Sequence, residues 1–245
     1  MLVKQKVKYI QTLGQKKFRE QEGLFIAEGP KLVNELLEAD AAAVQEVYAL
    51  QDWVDANKKL AAQTIVTVIT AIELEKISQL TTPNKVVAIV RQYDASQSIT
   101  TKGFITIVLD NIQDPGNLGT IIRIADWFGV KQIVCSNDSA DMYNSKVVQS
   151  TMGSIARVKV CYTNLEEWLG TQRNIGIYAA SLNGKDVTAM KKISEGIIII
   201  GNESKGISPE IMLLASEKIT IPQKGKAESL NAAVAAGIIL SHLST

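Results

Sequence analysis

The chain has only one histidine, His242, and two cysteines, Cys135 and Cys161, among 245 residues. A histidine-based zinc site or a Ser-His-Asp triad therefore has almost no material to draw on, and no metal is expected. Neither cysteine belongs to a CxxC pair, so two reduced, buried thiols in a cytoplasmic setting are expected rather than a disulfide. Long apolar runs are missing as well. The four isoleucines at 197–200 fall far short of a membrane span, and no secretory apolar stretch follows the basic N-terminal segment, so the sequence reads as soluble, with no membrane partner. Neither charge dominates: 26 basic residues face 25 acidic ones, a balance that neither supports nor excludes nucleic acid. The P-loop pattern GxxxxGK(S/T) and a strand followed by GxGxxG are both absent, which removes the commonest nucleotide fingerprints.

What is present is unevenly placed. Lys4, Lys6, Lys8, Lys16, Lys17 and Arg19 fall in residues 1–19 without a single acid, leaving 20 basic residues against all 25 acids in the remainder. That end of the chain either contacts phosphate or forms a solvated helix face. Further along, apolar runs alternate with helical spacing. LFIAEG ends a strand at Gly29, and Leu32, Val33, Leu36 and Leu37 mark the helix behind it. Runs at 44–50, 64–70 and 86–90, with helical segments around 53–62 and 71–80, continue an α/β pattern. The polar stretch QYDASQSITTKG at 92–103 is the best connector, which predicts domains at 1–95 and 104–245 joined by 96–103.

In the second part, strands are expected at 104–110, around KQIVCS, and at 157–162, 175–180, 197–201 and 218–221, with a helix from about Leu118 to Phe128. Their β-branched content without clean alternation suits buried parallel strands. A final helix over Leu230 to Leu243 is rich in alanine and isoleucine with few charges, so it either buries a further face inside the domain or forms a subunit interface.

Three polar, glycine-containing segments border these apolar runs and read together as one ligand site built from distant loops. In DPGNLGTIIR, Asn117 can cap the following helix, and Arg123 shares a helix face with Gly119. Arg123 offers a fork of donors to phosphate or carboxylate, or else serves in a salt bridge or as a snorkelling side chain. In IIIIGNESKGI, Gly201 ends a strand where α/β proteins bind ligands, and Glu203 is placed to orient an arginine or a hydroxyl, or to cap a helix. In IPQKGKAESLNAAVAAGI, Ser229 can cap the last helix, and Asn231 is a polar amide entering an apolar helix, where it must be hydrogen-bonded.

Taken in this order, NLGTIIR, GNESKGI and IPQKGKAESLNAAVAAGI resemble the three signature motifs of the SpoU (TrmH-like) family of RNA ribose 2'-O-methyltransferases in the SPOUT superfamily. REQEGLFIAEGPKLVNELL resembles the small N-terminal RNA-substrate domain of many members, which has a ribosomal-protein L30e-like α/β fold. The resemblance implies a C-terminal SPOUT catalytic domain with a mostly parallel sheet and a deep trefoil knot, an exception to the rule against knotted chains. It also implies S-adenosyl-L-methionine as cofactor and a homodimer through the catalytic domain. Carried over by position, Ser181, Gly201, Ile221 and Leu230 resemble cofactor-binding residues. Asn117, Arg123, Glu203, Ser229 and Asn231 resemble the catalytic polar set, with Glu203 fixing Arg123 or the second motif's backbone. The third motif departs from the commoner SLNVSVAAG in having Ala232 and Ala233 after Asn231.

The implied chemistry is in-line attack of an RNA ribose 2'-hydroxyl on the cofactor methyl, without a metal. A guanidinium stays protonated in proteins, so Arg123 suits a clamp on phosphate and the reacting oxygen, not a base. Lys4, Lys6, Lys8, Lys16, Lys17 and Arg19, with Arg123, are the candidate RNA contacts. Structured RNA of the 23S ribosomal type is the expected substrate, with tRNA the alternative. A non-catalytic structured-RNA-binding protein is the alternative from another class, and the intact polar residues in all three motifs favour the enzyme.

Overall fold

The structure, a computed structural model, describes residues 2–94 and 99–244. Two short helices, α1 (Lys4–Thr12) and α2 (Lys16–Glu22), precede β1 (Leu24–Glu28), α3 (Pro30–Asp40), β2 (Val44–Ala49), α4 (Gln51–Ala56), α5 (Lys58–Ala61), β3 (Ile65–Val68), α6 (Ala71–Ile77) and β4 (Val86–Arg91). The four strands lie in the order β1-β4-β2-β3, with β4 antiparallel to β1 and β2, and β3 parallel to β2. Leu32, Val33, Leu36 and Leu37 of α3 are all buried, as their spacing predicts, and Pro30 occupies the first turn, where its missing N–H is no loss. The helix expected over 53–62 is instead two, broken at Asn57. There the side-chain amide donates to the Trp53 carbonyl (2.8 Å) and accepts from Asn34 Nδ2 (2.9 Å), which competes with a continuous helix.

The rest of the chain runs β5 (Ile105–Asp110), α7 (Pro115–Trp127), β6 (Gln132–Ser136), α8 (Ser145–Thr151), β7 (Lys159–Thr163), α9 (Leu165–Thr171), β8 (Ile177–Asp186), β9 (Gly196–Gly201), α10 (Pro209–Leu213), β10 (Glu217–Thr220) and α11 (Ala232–Leu243). Its six strands form a sheet in the order β10-β8-β9-β5-β6-β7, in which every neighbouring pair is parallel. Ile197 to Ile200 are at most 3% exposed, because β9 is a central strand with both faces covered. This explains an unbroken isoleucine run where a half-exposed strand would alternate. Each such side chain contributes about 1.5–3 kcal/mol of burial.

Compactness does not follow chain order. Met1–Asp94 with Tyr143–Arg157 form one unit, and Ala95–Met142 with Val158–Thr245 form the other. Residues 143–157, which carry α8, therefore pack with the N-terminal elements. Within that unit the Tyr143 ring lies 4.9 Å from that of Phe25, tilted by 34°, Gln149 Nε2 donates to the Glu28 carbonyl (2.9 Å), and Arg157 pairs with Glu35 (3.1 Å). Gly153, at φ +97°, is obligatory here, since a Cβ would stand 2.5 Å from that of Glu35. Of the expected connector 96–103, residues 96–98 lie outside the described residues. Cys135 is a buried thiol whose pKa burial pushes up, whereas Cys161 is only half-buried.

Two helix starts differ from expectation. The cap of α7 is Asp114, whose carboxylate accepts from Asn117 N (2.8 Å), so the helix begins at Pro115 and Asn117 lies inside its first turn. The last helix begins at Ala232, not Leu230, and its cap is Asn231 rather than Ser229. Asn231 Oδ1 accepts from the N–H groups of Ala233 and Val234, so the amide stands at the helix end and not within it. Ala232, Ala233, Ala236, Ile239, Leu240 and Leu243 are buried, and α11 packs against α7 within the domain, with Gly237 Cα facing Ile124.

Candidate active site

The order of the parallel sheet sets the position of the site. From β5 the chain runs outward to β6 and β7 on one side, while β9, β8 and β10 fill the other, so the order reverses between β5 and β9. Loops leaving the carboxyl ends of such a pair diverge and open a crevice. Here those ends are paired, Asp110 opposite Gly201, and the first two motifs follow them directly.

Glu203 does not pair with Arg123. Its Oε1 accepts from Asn117 Nδ2, and Asn117 Oδ1 accepts from Asn231 Nδ2 (2.8 Å), so one line of side chains joins all three motifs. Arg123 faces outward from α7, exposed and without a hydrogen bond or ion pair among the described residues. A guanidinium held on a rigid helix with its donors uncommitted is available to an anionic ligand.

Gly201 is required sterically. A Cβ there would fall 2.3 Å from Gly206 C and Ile207 N, because the loop folds back on the strand end. Asn202 closes that loop through paired backbone bonds with Gly206, at 3.0 and 2.8 Å. Buried Asp110 adds a bond from Ser208 N (2.7 Å). Asp110 and Asn202 were missed as site residues. A carboxylate at the last position of a buried strand, and an asparagine just after one with glycine four residues on, were the available signals.

The other candidates frame the neighbouring strand ends. β8 and β10 are in register at Ala179 with Lys218 and again at Lys185 with Ile219, so residues 180–184 bulge out of the ladder. Ser181 lies in this bulge, half-buried, accepting from Asn183 N (3.3 Å), and Leu182 beside it is 69% exposed. Ile221 follows β10, half-buried. Ser229 and Leu230 lie on the exposed segment before Asn231, and that segment is stapled by Gln223 Nε2 to the carbonyls of Gly225 (3.0 Å) and Ala227 (2.7 Å).

The basic residues of the first unit divide. Lys4, Lys8 and Lys17 are exposed with no ion pair among the described residues, and Lys16 makes only a loose pair with Glu20 at 3.7 Å. Lys6 is half-buried, bonded to Glu46 (2.7 Å) and 5.1 Å from the Tyr9 ring centre. Arg19 leaves the set of RNA contacts. It is 4% exposed, and Nη1 donates to the carbonyls of Leu13 (3.1 Å) and Gly14 (2.8 Å), tying off the end of α1.

Residues 105–241 match the model of the SpoU rRNA Methylase family, and residues 4–88 match the MRM3-like substrate binding domain. The chain is 28% identical to the Bacillus subtilis 23S rRNA (guanosine(2553)-2'-O)-methyltransferase RlmP, covering 98% of this chain and 96% of that one. It is 30% identical to an uncharacterized tRNA/rRNA methyltransferase of Synechocystis, covering 96% and 88%. The AdoMet-bound rRNA methyltransferase from Sinorhizobium meliloti superposes with a TM-score of 0.86 at 31% identity, over 99% of this chain and 95% of that one. With more than half of its length matched by the family model and its fold shared along nearly all of it, this chain belongs to the SpoU rRNA methylase family.

Proposed function

We propose that this protein transfers a methyl group from S-adenosylmethionine to a ribose 2'-hydroxyl of RNA, and that the RNA is ribosomal, of the 23S type. The observation that carries the reading is the line Asn231–Asn117–Glu203, which ties the three motif segments together at the switch point of a parallel sheet. Ribosomal RNA is favoured over tRNA because likeness to the 23S-specific relative extends over 98% of the chain, the substrate-binding domain included.

The residues present fit the cofactor. Gly201 closes the β5–β9 ladder, Ser181, Ile221 and Leu230 offer backbone groups outside the ladders, and the exposed Leu182 and Leu230 offer apolar surface, a lining suited to an adenine ring with polar edges. When bound, S-adenosylmethionine would supply an electrophilic methyl group: its S–CH3 bond would break as the bond to the 2'-oxygen forms, S-adenosylhomocysteine would leave, and the hydroxyl proton would pass to solvent water. Arg123 holds the phosphate beside the target ribose and orients the 2'-oxygen. Asn117, Glu203 and Asn231 keep the loops in register around that oxygen, and Ser229 contacts the reacting region. Orientation of this kind supplies about 7–11 kcal/mol in favourable systems, more than a single hydrogen bond gives.

The C-terminal segment forms a trefoil knot in this reading. Support comes from the return of α11 to the segment before β9, where Ile193 N donates to the Leu243 carbonyl (2.7 Å) and Ile193 bridges Ser244. A homodimer covers the outer surface of α7 and α11, where Trp127 is 84% and Val234 50% exposed. The exposed lysines of the first unit capture RNA phosphate, and the protein works in the cytoplasm, with its thiols reduced. The test is incubation with methyl-labelled S-adenosylmethionine and separate unmodified rRNA and tRNA pools, followed by nucleoside analysis. A labelled 2'-O-methylnucleoside from rRNA is expected. Label confined to tRNA would move the substrate, and cofactor binding without label in either pool would favour a non-catalytic RNA-binding role.

A further inference from the structure

Around the Asn231–Asn117–Glu203 line, one residue uses every polar atom of its side chain to hold two loops together. Asn202 Oδ1 accepts from Ser204 N and Lys205 N, both at 3.0 Å, closing an Asx turn around Glu203. Its Nδ2 donates to the carbonyl of Asn111 (2.8 Å), in the loop that leaves β5 and leads to Asn117. Asn111 is one of four non-glycine residues at positive φ among those described, at +58°. Its N–H donates to Ser136 Oγ (2.9 Å), and Ser136 meets Ser139 Oγ at 3.0 Å, which anchors this turn to the end of β6. Asparagine tolerates the left-handed region better than other side-chain-bearing residues, and a residue held there persists only where its surroundings dictate it.

We infer that Asn202 is a positioning residue for methyl transfer: through the main-chain carbonyl of Asn111 it sets the second motif's loop, and so Glu203, against Asn117 and the helix that carries Arg123. This rests on the proposed reaction. Asn202 touches neither reacting atom in this scheme; it acts through Glu203 and Asn117. What it grips is a carbonyl, so the side chain of Asn111 is dispensable and its backbone conformation is not.

Three substitutions separate these roles. Asn202→Asp keeps an acceptor for Ser204 N and Lys205 N but replaces the donor to Asn111 with a carboxylate facing a carbonyl. It is expected to lower kcat about 10- to 100-fold while the KM for RNA and the dissociation constant of S-adenosylmethionine stay within about threefold. Asn111→Gly adopts the same φ without strain and should keep kcat within about twofold, whereas Asn111→Val, strained at that φ, should lose it as Asn202→Asp does. Unchanged kcat in Asn202→Asp, or equal losses in Asn111→Gly and Asn111→Val, overturns the inference. Amide hydrogen exchange on the free protein reads the clamp without catalysis: Asn202→Ala should speed exchange at Ser204 and Lys205 about tenfold or more. Unchanged exchange overturns the clamp. If the unsubstituted protein methylates no RNA, the proposed reaction fails, and exchange alone then decides on the clamp.

Discussion

The two sheets of this molecule solve different problems. In the four-stranded sheet β4 runs against β1 and β2, so strand ends of both kinds appear on each side, and no single edge collects the loops. In the six-stranded sheet every pair is parallel, so all carboxyl ends point one way and the segments after β5, β8, β9 and β10 converge. Convergent loops bring polar residues distant in sequence to one place, as with Asn117 and Asn231, 114 positions apart. Only the second sheet can build a reaction centre from its strand ends. The first presents helices, on which Lys4, Lys8 and Lys17 are exposed with no ion pair among the described residues, the side chains proposed above for RNA capture.

This contrast breaks if substitutions in the two sheets affect the same kinetic step. The largest effect is expected for Arg123→Ala, which should lower the single-turnover rate about 100- to 1,000-fold with little change in Tm, because the side chain is exposed in the single chain and makes no hydrogen bond or ion pair there among the described residues. A rate near that of the unsubstituted protein would remove Arg123 from the reaction. Next comes Gly201→Ala. The added methyl meets loop backbone at 2.3 Å, so the loop must shift, and calorimetric titration should find weakened S-adenosylmethionine binding along with a rate loss of about 100-fold.

The triple substitution of Lys4, Lys8 and Lys17 by alanine sharpens the contrast from the other side. It should raise the KM for RNA about tenfold, leave kcat and cofactor affinity alone, and reduce the slope of log KM against log salt by about 1 per lysine. A changed kcat would mean that the first unit reaches into the chemistry. The smallest effect concerns Glu28, 3% exposed in β1, whose carboxyl pKa burial raises despite bonds from Ser78 Oγ and Gln79 N. A carboxyl with a raised folded-state pKa binds protons better folded than unfolded. Its contribution is therefore fully present below the unfolded value, near 4.5, and is lost as pH rises through the folded one. Glu28→Gln should flatten the fall in Tm over that window. An unchanged pH profile would assign the slope to other groups.

Much of the fold was legible because burial is written in residue type. The isoleucines of β9, the leucines and valine of α3 and the β-branched strands of the second sheet all mark elements that exist. The misread helix starts share one cause. Asp114 and Asn117, like Ser229 and Asn231, are all competent caps, and only the path of the chain decides which oxygen meets the free N–H groups. The basic N-terminal segment was legible in charge but not in commitment, since nothing local distinguishes Arg19, folded onto the carbonyls of Leu13 and Gly14, from Lys17 in solvent.

By itself, the sequence marked the candidates for the chemistry, a glycine at a strand end, an arginine on an apolar helix and three amide or carboxylate side chains, because these capacities belong to the residue types. Tertiary structure alone decided who meets whom: Glu203 with Asn117 rather than Arg123, Asn202 with the carbonyl of Asn111, and residues 143–157 with the N-terminal elements. Those pairings lie 86, 91 and more than 100 positions apart in the chain. At such separations no local preference acts, and partners are set by strand order and by the burial that the order allows.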